Sequence, residues 1–247
     1  MAPTDSIIAY LDELLDPPAF EDMGPNGLQV PGATEIGRVV TGVTAQRALF
    51  ERAIEAGAEL VLVHHGLFWN FHPVGLTPTL AERLRPLFKH DIALAAYHLP
   101  LDAHPEHGNN ALLAEALGAA THEPFGDVGR GATFAEPVPA AELVARVAAV
   151  TGREPLVFDG GPPEVRRLAV ISGGAASRLP HAIAEGYDAF LTGEPKENVM
   201  ADAREAGIHF IGAGHYATET FGVRRLGDLL AARFGVEHVW VDLPNPV

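Results

Sequence analysis

The chain has 247 residues, 47% of them hydrophobic, and a formal charge of −15 from 17 basic and 32 acidic side chains. That length and apolar content suit one large folded domain or two small ones, and so acidic a surface argues against nucleic acid and anionic membranes as partners. Cysteine is absent, which excludes disulfides and thiolate metal sites.

No apolar run is long enough to span a bilayer and no targeting signal is visible, so a cytoplasmic protein is expected. In chain order, residues 5–15 place Ile7, Ile8, Leu11, Leu14 and Leu15 on one helical face, and Asp16-Pro17-Pro18 stops that helix. A turn at residues 24–27 precedes the short run 28–30. A strand over 38–43 leads to a helix over 45–56 closed by Gly57, then to an apolar strand over 60–63. An aromatic-rich loop (67–78), a helix (80–88), a strand (92–97) and a helix (109–117) follow. Three glycines within 126–131 mark the expected boundary between lobe one, about 1–125, and lobe two, about 126–247. Beyond it come helices over 140–150, 180–185, 198–206 and 218–234, and strands over 156–158, 168–171, 189–191, 209–211 and 239–241. Alternating strands and helices predict an α/β fold with largely parallel sheets.

The lobes read as a diverged internal repeat. Ala53-Ile54, Gly57, Glu59 and Leu62 match Ala182-Ile183, Gly186, Asp188 and Leu191, each 129 positions later, and His65 then falls on Glu194. Further on, His98 and Asp102 match His215 and Glu219 at an offset of 117. Two similar α/β lobes with their active edges on one cleft would explain polar residues repeating at strand ends.

Chemistry gathers at those ends. His64 and His65 terminate the apolar 60–63 run, at the carboxyl edge where open α/β sheets place ligands. The competing reading is one core and one surface histidine. His215 and Glu219, four apart, share a helical face, a common way to hold a divalent ion, although a solvated helix start with its acid at the positive end would look the same. Asp102 adds a second carboxylate, unless it is a turn or cap residue. Three imidazoles and two carboxylates exceed what one closed structural site needs and suit two ions with positions left for water. Such mixed donors fit iron, manganese or zinc. His104 and His107 read as surface residues, and Ser172-Gly173-Gly174 as a tight strand-to-helix turn more than a phosphate loop. No serine elbow or cysteine nucleophile is present, so hydrolysis would fall to metal-activated water.

Six stretches carry a resemblance: Gly27-Leu-Gln-Val30, Val63-His-His-Gly66, His98-Leu-Pro-Leu-Asp102, Gly108-Asn-Asn110, Thr192-Gly-Glu194 and Gly214-His-Tyr-Ala-Thr-Glu219. In that order they resemble the GTP cyclohydrolase 1 type 2 homologs, the dinuclear-metal NIF-three-like proteins, in their compact bacterial form. The resemblance implies a two-lobed α/β fold and a site for two divalent ions. His65 and Asp102 would bind one ion, His64 and His215 the other, and Glu219 would bridge them. It also implies a homohexameric ring with inward-facing sites, and GTP ring opening through metal-bound water, with His98 as a proton-transfer or supporting residue and a nucleotide as substrate. The domain that longer relatives insert between the lobes is expected to be absent. A non-catalytic metal-dependent binding or assembly protein, and a metallohydrolase of phosphoesters or cyclic amides, stand as alternatives.

Overall fold

The computed structural model describes residues 1–247. The chain forms two compact units: residues 1–101 with Gly222–Leu243, and residues 102–221 with Pro244–Val247. Compared with the expected boundary at 125/126, unit two takes in residues 102–125, and unit one takes back a C-terminal helix and strand. No helix is long and apolar enough to cross a membrane.

Unit one is built on a five-stranded sheet in the order Glu237–Trp240, Arg38–Thr44, Leu60–His65, Ala93–Ala96, Gly27–Val30. The first four strands run parallel and the last antiparallel. Successive strand residues face opposite ways, so Leu60, Leu62, Ala93 and Ala95 pack under the helices Thr4–Leu15 and Thr220–Phe234. Val61, Val63, Leu94 and Ala96 pack under Arg47–Ala56 and Pro78–Lys89. Both faces are covered, which explains the unbroken apolar runs. Each fully buried Leu, Val or Phe side chain contributes about 1.5–3 kcal/mol.

Unit two has six strands in the order Thr121–Phe125, Gly129–Pro139, Glu164–Val170, Ala189–Thr192, His209–Gly212, Leu156–Phe158. Only the central three run parallel to one another. The first two form an antiparallel hairpin that the sequence did not suggest. Gly126 makes its turn and the other two glycines are strand residues, not a linker: a Cβ on Gly131 would fall 1.9 Å from the Tyr187 hydroxyl, and one on Gly129 would fall 2.9 Å from the Val170 carbonyl. The expectation of largely parallel sheets therefore holds for four of the five strands of unit one and, in unit two, for three of six.

The repeat is visible in hydrogen bonding. Val39 pairs with Leu60 and Leu60 with Ala93; Leu168 pairs with Ala189 and Ala189 with His209. In unit one the Glu59 carboxylate accepts from the backbone N–H of Gly37 and Arg38, at 3.1 and 2.8 Å. In unit two the Asp188 carboxylate accepts from Arg166 and Arg167, both at 2.8 Å. Arg38 then donates to the Ala56 carbonyl, and Arg167 to that of Glu185. Each of these residues lies 129 positions from its counterpart, as does Leu60 from Ala189, except that Ala93 and His209 are 116 apart. An equivalent carboxylate therefore ties Arg38–Thr44 to the strand after it in unit one, and Glu164–Val170 to the strand after it in unit two.

Candidate metal centre

Unit one brings three imidazoles together. The Leu60–His65 strand ends on buried His64 and half-buried His65, and His98 follows the Ala93–Ala96 strand. Their ring centroids lie 4.7, 5.0 and 5.5 Å apart, with a nitrogen of each within 4.8 Å of the others. His64 Nδ1 donates to the Tyr97 carbonyl at 3.0 Å, which leaves the ring's lone pair on Nε2. His65 Nδ1 lies 3.3 Å from the Thr44 hydroxyl. His98 is held from two sides: its backbone N–H donates to Asn26 Oδ1 at 2.7 Å, and its Nδ1 lies 2.7 Å from Asp22 Oδ1. The Trp69 indole stands edge-on to His98, centroids 5.1 Å apart, and is fixed by its own N–H to the Gly66 carbonyl at 3.1 Å.

Asp22 was not foreseen. Its carboxylate also accepts from the backbone of Met23 and Leu99 and from the Asn26 amide, at 2.6, 3.0 and 2.9 Å. Burial alone would raise its pKa, but the bonds from His98, Asn26 and Leu99 win and hold it at about 2. A carboxylate depressed in this way stabilises the fold above its ordinary pKa near 4 and loses that contribution as pH falls through 2. We therefore expect Asp22→Asn to cost about 2 kcal/mol at pH 7 in denaturant melts. The cost should shrink toward pH 2; one that stayed constant over that range would show that charge is not the cause.

Unit two supplies the acids. Asp102, buried in the short Leu99–Ala103 helix, accepts from the Asn109 amide at 2.8 Å and the Ser172 hydroxyl at 3.1 Å. Asn110 ties this cluster to the sheet, donating to Val128 and accepting from the Ser172 N–H at 2.6 Å. His215 opens a one-turn helix, His215–Thr218, and Glu219 caps it before Thr220–Phe234 begins. The single helix expected over 218–234 thus has a break at Glu219, yet the His215–Glu219 pairing forms, with Nε2 and Oε1 3.2 Å apart. His215 Nδ1 is bonded to Glu194. Burial lowers the His215 pKa, but Glu219 and Glu194 outweigh it and raise the ring to about 9.

The Ser172-Gly173-Gly174 turn frames these donors. Gly173 has φ +67°, and a Cβ there would lie 2.3 Å from Glu219 Oε1. Its N–H is held by Thr218 Oγ1 at 3.0 Å.

The donor set fits a cation. Asp102 and Glu219, 5% and 2% exposed, bring carboxylate oxygens within 4.8 Å of one another. Two buried like charges at that range are costly unless positive charge joins them. His215 provides part of it, and a divalent ion would provide the rest. The chain thus carries His, Asp and Glu groups able to hold metal. Asp22, Asn109, Ser172 and Glu194, which hold His98, Asp102 and His215 in place, were absent from the expected site. Three of them stood in stretches already singled out, Asn109 in Gly108-Asn-Asn110, Ser172 in the 172–174 turn and Glu194 as the repeat partner of His65; Asp22 left no trace.

A family model described as Duf34/NIF3 (NGG1p interacting factor 3) matches residues 2–246. A Pseudomonas aeruginosa protein named GTP cyclohydrolase 1 type 2 homolog is 46% identical over 247 residues, 98% of this chain and 97% of its own. The Escherichia coli K12 protein of the same name is 42% identical over 237 residues, 96% of each chain. Among solved structures, TTHA1606 from Thermus thermophilus matches with a TM-score of 0.94 and 40% identity over 100% of both chains. Reduced HcgD from Methanocaldococcus jannaschii, at 23% identity and a TM-score of 0.87 over 98% of both chains, shares the fold. With nearly every residue inside the family model and relatives this similar along their whole length, the chain belongs to the Duf34/NIF3 family.

Proposed function

We propose that this chain is a dinuclear divalent-metal protein acting as a metal-dependent hydrolase, a single NIF-three-like domain without an inserted one. In this reading His65 and Asp102 bind one ion, His64 and His215 the other, and Glu219 bridges. The observation that carries it is the anchoring of the ligands. His64 and His215 each have Nδ1 engaged by a protein acceptor, the arrangement that fixes a histidine to coordinate through Nε2, and His65 Nδ1 lies 3.3 Å from the Thr44 hydroxyl. The buried carboxylate pair adds the demand for positive charge.

When bound, two divalent cations (iron, zinc or manganese) would lower the pKa of a water and polarise the bond under attack. The side chains do the rest. Asp22 and Asn26 fix the His98 ring, so that its Nε2 can give or take a proton at the reacting group. The name of the bacterial relatives suggests a nucleotide substrate and cyclohydrolase-type ring opening.

Metal analysis of the purified chain should find two ions. His98→Ala should keep both while slowing turnover by about 10²- to 10⁴-fold. Full metal with an unchanged rate would remove His98 from the mechanism. A screen of nucleotides, cyclic amides and phosphoesters that finds no turnover with iron, manganese or zinc would favour a non-catalytic binding or assembly role.

The same resemblance leads us to infer a cytoplasmic homohexameric ring. Phe71, Val74 and Leu76, exposed by 64%, 108% and 69%, offer an apolar face for a neighbouring subunit. A monomer mass in light scattering at micromolar concentration would overturn the ring.

A further inference from the structure

Arg130 is a buried cation with no anion. It lies near the start of the Gly129–Pro139 strand and is only 6% exposed. Its guanidinium donates to the Ala103 carbonyl, while Nε meets no acceptor. Burial alone shifts its pKa, downward, and no carboxylate is paired with it. A guanidinium stays charged even so, and an uncompensated buried charge is among the most expensive features a fold can keep. It is all the more unexpected in a chain of charge −15, where acids are plentiful.

The surroundings of Arg130 are donors too. His104 Nδ1 accepts from the backbone N–H groups of Glu106 and His107, at 3.1 and 2.9 Å, so its proton sits on Nε2. The His107 ring stacks on it, centroids 4.9 Å apart and planes 9° apart, and His107 Nδ1 is buried without a partner. Ala103, whose carbonyl accepts from the Arg130 guanidinium, directly precedes His104. The Asn109–Ala116 helix starts directly after them. Its Gly108 cap has no side chain and its first turn has no acid of its own; the carboxylate bonded to its first residue is that of Asp102, which accepts from the Asn109 amide. An unpaired guanidinium, one orphaned imidazole nitrogen and a helix N-terminus thus lie around residues 103–108.

We propose that Arg130, His104 and His107 form an oxyanion site for a phosphoryl group. A guanidinium with imidazole donors and a helix N-terminus matches the charge and the several acceptor oxygens of a phosphoryl. Ala103, which anchors Arg130, directly follows Asp102. The group held here would be the anionic end of a small molecule whose remainder reaches toward that carboxylate. Assigning it to the substrate of the metal centre rests on the function proposed above; the oxyanion site itself does not.

The test is calorimetric titration of inorganic phosphate, GTP and guanosine into the full chain. Phosphate should bind saturably, and Arg130→Met should weaken it by roughly tenfold or more, the worth of one charge-assisted hydrogen bond. His107→Asp should weaken it through repulsion, and Glu219→Gln should not. If Arg130→Met fails to fold by circular dichroism, His107→Asp and His107→Ala carry the test. No saturable phosphate binding, equal affinity in the Arg130 and His107 variants, or loss in Glu219→Gln alone would overturn the site. GTP binding that falls in parallel with phosphate in Arg130→Met, with guanosine unaffected, assigns the site to the substrate's phosphates. GTP unaffected while phosphate falls assigns it to free phosphate. Metal content and turnover are read separately, so a failure of the proposed hydrolase leaves this result standing.

Discussion

Glu219→Gln should strip the proposed centre of metal. The amide keeps the shape of the side chain but loses the charge that would bridge two cations, so affinity should fall by more than the roughly 10- to 100-fold typical of a lost supporting contact. The variant also has a metal-free signature. Glu219 is one of two carboxylates that raise His215 to about 9, so the ring's pKa should drop toward its ordinary value, measurable by NMR titration. A histidine raised in this way stabilises the fold fully below its ordinary pKa of 6.5 and loses that contribution as pH rises through about 9. In the variant that alkaline loss should be smaller. Two ions retained at native affinity would remove Glu219 from the centre.

The largest effect on stability is expected from Gly193→Ala. A Cβ at Gly193 would lie 2.5 Å from His215 Cα and 2.7 Å from both the His215 nitrogen and the Gly173 carbonyl. All three are backbone atoms, so no rotamer change relieves the clash. Overpacking of this kind costs about 1–3 kcal/mol, a fall in Tm of several degrees for a chain of this size, at about 2–4 °C per kcal/mol. Metal content should fall with it, because the backbone displaced is that of His215 and Gly173. Gly75→Ala, with nothing within 4 Å of the added atom, is the control and should leave both readings unchanged. Native Tm and metal content in Gly193→Ala would show that the His215 turn yields easily.

These close approaches mark the limit of what the sequence could tell. Periodicity and glycine stops found the helices and the parallel strands, because burial on both faces leaves long apolar runs. The repeat was legible for a related reason: Glu59 and Asp188 occupy the same position before a strand and bind the same pair of backbone amides. The hairpin was not legible, because Gly129 and Gly131 look like a linker until Ile171 and Tyr187 are seen lying against them. The proposed metal residues stood at strand ends and helix starts, where local pattern is informative. The contacts that hold the site did not show: Asp22 reaches His98 across 76 positions of sequence, and Ser172 reaches Asp102 across 70. Nothing local reveals such a distant partner, even where, as at Ser172, the turn itself was legible. The break at Glu219 was missed because no proline or glycine adjoins it; the flanking Thr218 and Thr220 are only weakly unfavourable to a helix.

The path of the chain through unit one governs the order in which the protein can be made. Gly222–Leu243 supplies that unit with the edge strand beside Arg38–Thr44 and, through Val223, Leu226 and Leu230, with much of one apolar face. Residues 1–101 therefore leave the ribosome with an unpaired strand and an uncovered sheet. They must wait while residues 102–221, which form nearly all of unit two, are synthesised. At about 5–20 residues per second that delay lasts some seconds, during which the first-made half of the chain is the half most exposed to aggregation and most in need of a chaperone.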